Sequence, residues 1–384
     1  MFGRTNVSKK IVAVAHVESA GVGVAIIAIS AKGPAMVLEY ERVTLPEGNR
    51  DTNAIATGVV TSLADAWKNA LTRFVTGPHK GTQISDAYAV IDAPWTHSQT
   101  THASSIFEKE TRIAAVMIKD AAQQALTTGT EIDMSNLIES TVVRVELNGY
   151  PTGSPIGKMA HQLSVAALMS DCDTTIKKGL TETFANLFPG AALTLRSKSR
   201  ALVSAMNMIP CLGKDYVILT VTTEASNVLV IRDGLTVQSV QISEGIHSII
   251  KRISDKSVPE EALSLLRMIE RNECNGEACE AITDLMARAE IDLARVYGDT
   301  FAKIASLARL PADLILITQS DLVPWLAAFF TRIDFTQFTL TTQPFSVHVL
   351  GRKELVSQVN ADTAVVPDIE LMIAGALVNS EEQS

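Results

Sequence analysis

Lys10-Ile11-Val12-Ala13-Val14-Ala15-His16-Val17, Val22-Gly23-Val24-Ala25-Ile26-Ile27-Ala28-Ile29 and Ala35-Met36-Val37-Leu38-Glu39-Tyr40 follow one another with only residues 18–21 and 30–34 between them. Each run is short, rich in β-branched residues and closed by turn formers, which reads as a three-stranded meander. Ile55, Val59, Leu63, Trp67, Leu71 and Phe74 then recur at helical spacing, and Asp86-Ala87-Tyr88-Ala89-Val90-Ile91-Asp92 reads as a buried strand. Much further along, the pattern restarts. Tyr216-Val217-Ile218-Leu219-Thr220-Val221 is a strand, residues 227–232 are its hairpin partner, Asp233-Gly234 is the next turn and residues 235–240 are the third strand. Helices over 259–269 and 277–309 follow, the second with Ile282, Leu285, Met286, Ala289, Leu293, Val296 and Ile304 on its core side, and Leu314-Ile315-Leu316-Ile317 is a short buried strand. The same order of three strands and a helix at 10–75 and 216–255 indicates a duplicated α/β fold.

Between the copies, from about residue 95 to 196, the pattern differs. Ile113, Val116, Ile118 and Ala122 mark a helix. Residues 139–147 are a strand running into Asn148-Gly149-Tyr150, and residues 162–169 are another. Asp171 is an N-cap candidate for a helix carrying Ile176, Leu180 and Phe184. This is a small α+β unit inserted in a larger fold. The expected division is 1–98 with 197–212 as a first subdomain, 99–196 as the insertion, and 213–384 as the second half with its helical subdomain.

A duplicated meander-plus-helix with an α+β insertion in its first half resembles the actin and sugar-kinase superfamily, the actin-like ATPase fold built on duplicated ribonuclease H-like units. Within it, Ala93-Pro94-Trp95-Thr96-His97-Ser98-Gln99-Thr100 and Leu147-Asn148-Gly149-Tyr150 look like PilM-type pilus-assembly proteins and their FtsA cell-division relatives. In that branch the insertion, of SHS2 type, makes protein contacts. The resemblance spans most of the chain and implies ATP with magnesium held by three loops. Glycines there let backbone amides approach phosphate, and aspartates meet magnesium or its waters.

The three loops of this chain depart from that pattern. Where the resemblance implies Asp-Ile-Gly-Ser, residues 16–22 read His16-Val17-Glu18-Ser19-Ala20-Gly21-Val22, so His16 stands at the aspartate position and Glu18 at the first glycine. The second loop reads Thr220-Val221-Thr222-Thr223-Glu224-Ala225-Ser226, with Thr220 for the aspartate and threonines for both glycines. The third reads Thr318-Gln319-Ser320-Asp321 instead of a Gly-Gly turn. The residues the resemblance puts at a nucleotide are therefore His16, Glu18, Ser19, Gly21, Thr220, Thr222, Thr223, Ser226, Thr318, Gln319 and Ser320. Together they imply a pseudo-ATPase with no catalytic residue and no metal ligand. The ordinary reading of His16 is a hydrogen-bonded residue at a strand end, and that of the threonines is β propensity. Glu18 and Glu224 are a minority cation-site candidate, since the resemblance places the two hairpins opposite each other.

Composition excludes other classes. The chain has 384 residues, is 47% hydrophobic and carries a net charge of -9 with its basic residues scattered, which argues against nucleic acid. No run approaches the roughly 20 apolar residues of a membrane helix, and no signal peptide is read in the basic start, so a cytosolic location is expected. Cys172, Cys211, Cys274 and Cys279 are expected to be free thiols, and the Asn6-Val7-Ser8 sequon carries no meaning there. Trp95 reads as a cap over the core or a binding edge with His97, and Asp92 is an isolated carboxylate. The closing segment 368–378 reads as a helix with no basic face for lipid, which turns the resemblance from FtsA toward PilM. The implied function is a cytoplasmic scaffold of a type IV pilus-like machine, reaching the inner membrane by gripping a PilN-like cytoplasmic peptide, with self-association possible. An ATP-dependent, filament-forming cell-division protein and a kinase of the same superfamily are the alternatives.

Overall fold

The computed structural model describes residues 10–45, 51–127, 132–209, 213–254, 258–362 and 365–383. The basic start, its sequon and Cys211 lie outside the described residues. In chain order the first unit contains β1 (Lys10–Glu18), β2 (Gly21–Ile29), β3 (Ala35–Thr44), α1 (Thr52–Thr76), β4 (Asp86–Ile91), β5 (Thr96–Arg112), α2 (Ala115–Thr127), β6 (Leu137–Leu147), β7 (Tyr150–Pro151), β8 (Met159–Cys172), α3 (Thr174–Leu187), β9 (Ala192–Ser197) and α4 (Lys198–Asn207). The second unit contains β10 (Tyr216–Val221), β11 (Ser226–Arg232), β12 (Leu235–Ile242), α5 (Ile246–Ser254), α6 (Pro259–Glu270), α7 (Glu277–Ala305), β13 (Asp313–Ile317), α8 (Val323–Arg332) and β14 (Ser346–Val349). The chain then returns to the first unit as α9 (Arg352–Leu355), β15 (Val359–Ala361) and α10 (Ile369–Gln383).

The main sheet of the first unit has the order β15-β3-β2-β1-β4-β9, with β4 parallel to β1 and β9 parallel to β4. The β1–β2 turn is only Ser19-Ala20, because Glu18 pairs with Gly21. Gly21 has φ +151°, and a Cβ there would meet the Val43 carbonyl oxygen at 2.2 Å, so the glycine serves strand packing. On one face α1 buries Ile55, Val59, Leu63, Trp67 and Phe74 against Ile176, Leu180, Phe184 and Phe188. Trp67 meets Phe184 and Phe188 edge-on at 5.6 and 5.0 Å. Each such buried side chain contributes about 2–3 kcal/mol. Helix α10, buried from Leu371 to Asn379, packs against β1, β2 and α4.

The insertion is an antiparallel sheet of order β5-β8-β6-β7, with α2 closing a small core of Ile113, Ala121, Leu147, Ala160, Leu163 and Val165. Four sequence expectations need correction here. Ile113 precedes α2, and Val116 is exposed. The cap of α3 is Asp173, whose carboxylate accepts the amides of Thr175 and Ile176 at 2.9 and 3.0 Å. Asp171 instead accepts the amides of His97 at 3.3 Å and Asp133 at 2.6 Å. The inserted sheet ends at Cys172 rather than near 196, because α3 packs on α1 and β9 pairs with β4. Finally, residues 351–384 belong to the first unit and not to the second half, because β15 pairs with β3.

In the second unit, the sheet β12-β11-β10-β13-β14 repeats the meander and its parallel neighbour. Its core gathers Leu219, Leu293, Tyr297, Phe301, Phe329 and Phe330. Helix α7 ends at Ala305 rather than 309. Cys274 and Cys279 form a disulfide and are not thiols: the turn between α6 and α7 brings their Cα atoms to 5.6 Å, within bridging range. Cys172 is free and buried.

Candidate functional site

Three parallel strands of the first unit end side by side, and sheets of this kind offer their ligand positions at the carboxyl ends. β1 delivers His16 two residues before its end. Asp92 follows β4 directly, its amide donating to the Val17 carbonyl at 2.9 Å and its carboxylate accepting the Ala93 amide at 2.7 Å. Lys198 follows β9 as the first residue of α4. Glu370, in the first turn of α10, completes the group.

His16 is fully buried, with Nε2 3.6 Å from Asp92 Oδ2 and 3.8 Å from Glu370 Oε2. Those separations exceed hydrogen-bond length, and neither ring nitrogen has a hydrogen-bond partner. Burial, reinforced by the Lys198 charge, pushes His16 down to about 4, so the imidazole is neutral with a lone pair to offer. Lys198 Nζ touches Glu370 Oε2 and lies 4.0 Å from Asp92 Oδ2. Burial pushes this lysine down to about 8 against the raising effect of Asp92. Asp92 is held below the usual carboxylate range: burial opposes this, and His16 and Lys198 outweigh it.

A second layer joins from β3. His16, Gly23 and Arg42 stand in one row across β1, β2 and β3. A Cβ on Gly23 would lie 3.7 Å from Arg42 Nη1, an ordinary contact distance, so the guanidinium passes directly over this position. Arg42 contacts Glu18 and holds Asp368 Oδ2 at 2.9 Å. Asp368 is lowered chiefly by the Arg42 charge, against the opposing effect of its burial. Glu18 is thus engaged within its own unit.

Several of the residues expected around a nucleotide are engaged within their own unit. Ser19 Oγ is buried without a hydrogen bond, and Gly21 serves strand packing. In the second unit Thr220 and Thr222 hydroxyls donate to the Asn227 and Ala225 carbonyls at 3.5 and 2.8 Å. Ser226 Oγ donates to the Glu244 carbonyl at 2.6 Å and meets the Tyr297 hydroxyl at 2.9 Å. The Thr222 amide goes to the Ala225 carbonyl at 2.8 Å, while the Thr222 and Thr223 carbonyls accept the Ile246 and His247 amides at 2.8 and 3.0 Å. A phosphate cradle needs amides aimed outward. This turn is instead clamped by the start of α5, where a Cβ on Gly245 would meet Ala225 N at 2.5 Å. Thr318 Oγ1 donates to the Val221 carbonyl at 3.3 Å, and the exposed Gln319, next to Ser320, donates to Asp321 at 3.4 Å. In the second unit the Thr220, Thr222, Ser226 and Thr318 hydroxyls thus all donate to carbonyls of that unit.

Sequence reading located His16 and Glu18 but missed Lys198, Arg42, Asp368 and Glu370, and left Asp92 alone. Lys198 directly follows β9, a strand that lies at the edge of the expected insertion and that the sequence pattern does not display. Glu370 carries no local signal, since its place depends on the chain returning from the second unit.

No family model matches the chain, and no curated protein matches it in sequence. Solved structures do. A chain described as a PilM-PilN type IV pilus biogenesis complex aligns with 10% identity over 97% of this chain and 98% of that one, with a TM-score of 0.60. A Bacteroides thetaiotaomicron protein described as having an actin-like ATPase fold and unknown function aligns at 12% identity over 98% and 99% of the chains, TM-score 0.39. A Streptomyces griseus ROK family glucokinase, in complex with glucose and AMPPNP, aligns at 10% identity over 97% and 98%, TM-score 0.41. The fold is the actin-like ATPase fold. Among the described residues no helix is long and apolar enough to cross a membrane.

Proposed function

We propose that this protein is a PilM-like scaffold of a type IV pilus-type assembly system, a pseudo-ATPase that grips the cytoplasmic peptide of a PilN-like inner-membrane partner. The observation that carries this reading is the internal engagement of the loop residues. Hydroxyls and an amide that an ATPase of this fold would turn to phosphate, those of Thr222 and Ser226 and the Thr222 amide, donate instead to the protein's own carbonyls, and Glu18 is paired with Arg42. The end-to-end likeness to a PilM-PilN complex supplies the partner class. The insertion and the surface beside it are the proposed grip, and the membrane is reached through that partner, at the cytoplasmic side.

Two measurements test the reading together. Melting temperature with ATP, ADP and magnesium, singly and combined, is expected to stay constant, because binding well below millimolar would raise it by mass action. A synthetic peptide from the cytoplasmic segment of the cognate PilN-like protein is expected to bind in fluorescence anisotropy. A magnesium-dependent rise with ATP would return the ATPase alternative, and absence of peptide binding would remove the scaffold.

A further inference from the structure

The buried group at the ends of β1, β4 and β9 is not neutral. Glu18, Asp92, Asp368 and Glu370 supply four carboxylates, and Arg42 and Lys198 supply two cations. Formally two negative charges are left over at a place where Asp92 is 3% and Glu370 21% exposed. Uncompensated buried charge is costly. The nearest protein cation does not remove the excess, because Lys198 faces two carboxylates with one ammonium.

The same group is built as a ligand set. One ligand atom from each of His16, Asp92 and Glu370 lies within 4.8 Å of the others. His16 is wholly buried, both its nitrogens lack a hydrogen-bond partner, and Nε2 is aimed between the two carboxylates. We propose that His16, Asp92 and Glu370 form a binding site for one divalent first-row metal ion, which ties the ends of β1 and β4 to the first turn of α10. An imidazole with two carboxylates and no thiolate suits manganese, iron(II) or zinc, whereas magnesium prefers oxygen donors alone. A divalent ion matches the two surplus charges. Lys198 is its competitor, and must swing from Glu370 for the ion to enter. The site needs no nucleotide, so this inference stands apart from the scaffold reading.

The test is a titration of the full chain with Mn²⁺, counting free ion by its paramagnetic resonance, after chelator treatment. One ion per chain is expected, held at least tenfold more weakly in both Asp92→Asn and Glu370→Gln, and at least tenfold more tightly in Lys198→Met. Far-UV dichroism verifies that each variant is folded, and the partly exposed Glu370 position serves if Asp92→Asn does not fold. No uptake by the unaltered chain overturns the proposal, and so does uptake seen only in Lys198→Met, because the ammonium is then the permanent occupant. Uptake indifferent to both carboxamide variants also overturns it by putting the ion elsewhere.

Discussion

Glu139, on β6, is a carboxylate buried among serines. Its Oε1 accepts the Ser170 hydroxyl at 2.8 Å and both the hydroxyl and, at 3.3 Å, the amide of Ser197, and Arg200 Nε lies 4.0 Å from Oε2. Burial raises its pKa and outweighs the serines and Arg200, which lower it. The folded state therefore keeps this proton to a higher pH than the unfolded chain does. Stability from that difference is complete below the unfolded value near 4.5 and is lost as pH rises through the folded one. Glu139→Gln removes this loss. The melting temperature of the variant relative to the parent is expected to shift in the variant's favour between pH 5 and pH 8, and a difference that stays constant across that range would contradict the assignment. At this scale the sequence was informative about position and poor about role. His16 and Glu18 were legible because a strand and its turn are local. That Glu18 of β1 meets Arg42 of β3, two strands away, follows from the registers of both strands on β2, which no single stretch displays.

Two glycines set how elements approach. On α3, a Cβ at Gly179 would meet the Val60 side chain of α1 at 2.4 Å, and at Gly245 it would meet the backbone of the β10–β11 turn at 2.5 Å. Neither position has the left-handed backbone that argues for glycine by itself, so space is the constraint. Gly179→Ala is expected to cost about 1–3 kcal/mol by overpacking, read by denaturant unfolding. Gly245→Ala presses on backbone, which cannot rotate away, and belongs at or above the top of that range. Equal, negligible losses at both sites would show that the elements separate freely. Elements with buried apolar runs were legible: β1, β2 and β10 are buried almost throughout. The strand β5 was not, because its buried positions are Thr96, Ser98, Thr101 and Ala103 while Ile106 is exposed, and its pairing with β8 supplies what apolar alternation does not. The cap of α3 was misplaced by two residues because Asp171 and Asp173 are equally good cap types, and only the long-range amides of His97 and Asp133 distinguish them.

At the scale of the whole chain, the first unit depends on residues that come after the second. β15 extends the main sheet at Ala35, where the Ala35 amide donates to the Gln358 carbonyl at 2.9 Å, and Gln358 Nε2 donates to the Ala205 carbonyl at 2.9 Å. Asn379 Nδ2 reaches the Gly33 and Gln358 carbonyls at 3.1 and 3.3 Å, and Glu381 and Glu382 hold Arg196, Lys10 and Tyr88. Leu371, Met372, Ile373, Leu377 and Val378 are at most 3% exposed, and their burial is worth on the order of 10 kcal/mol. Domains are stable by only about 5–15 kcal/mol, so removing this segment consumes most or all of the margin. The duplication was legible because each copy repeats one local pattern. This return was not, because a helix apolar on all sides shows that it is buried without showing where. A chain ended at Leu350 is therefore expected to yield, under limited proteolysis, a resistant fragment within 213–350 while 1–212 is digested, and a peptide of residues 351–384 added in trans should restore protection. Equal resistance of 1–212 with and without the segment would mean that its core closes without α10.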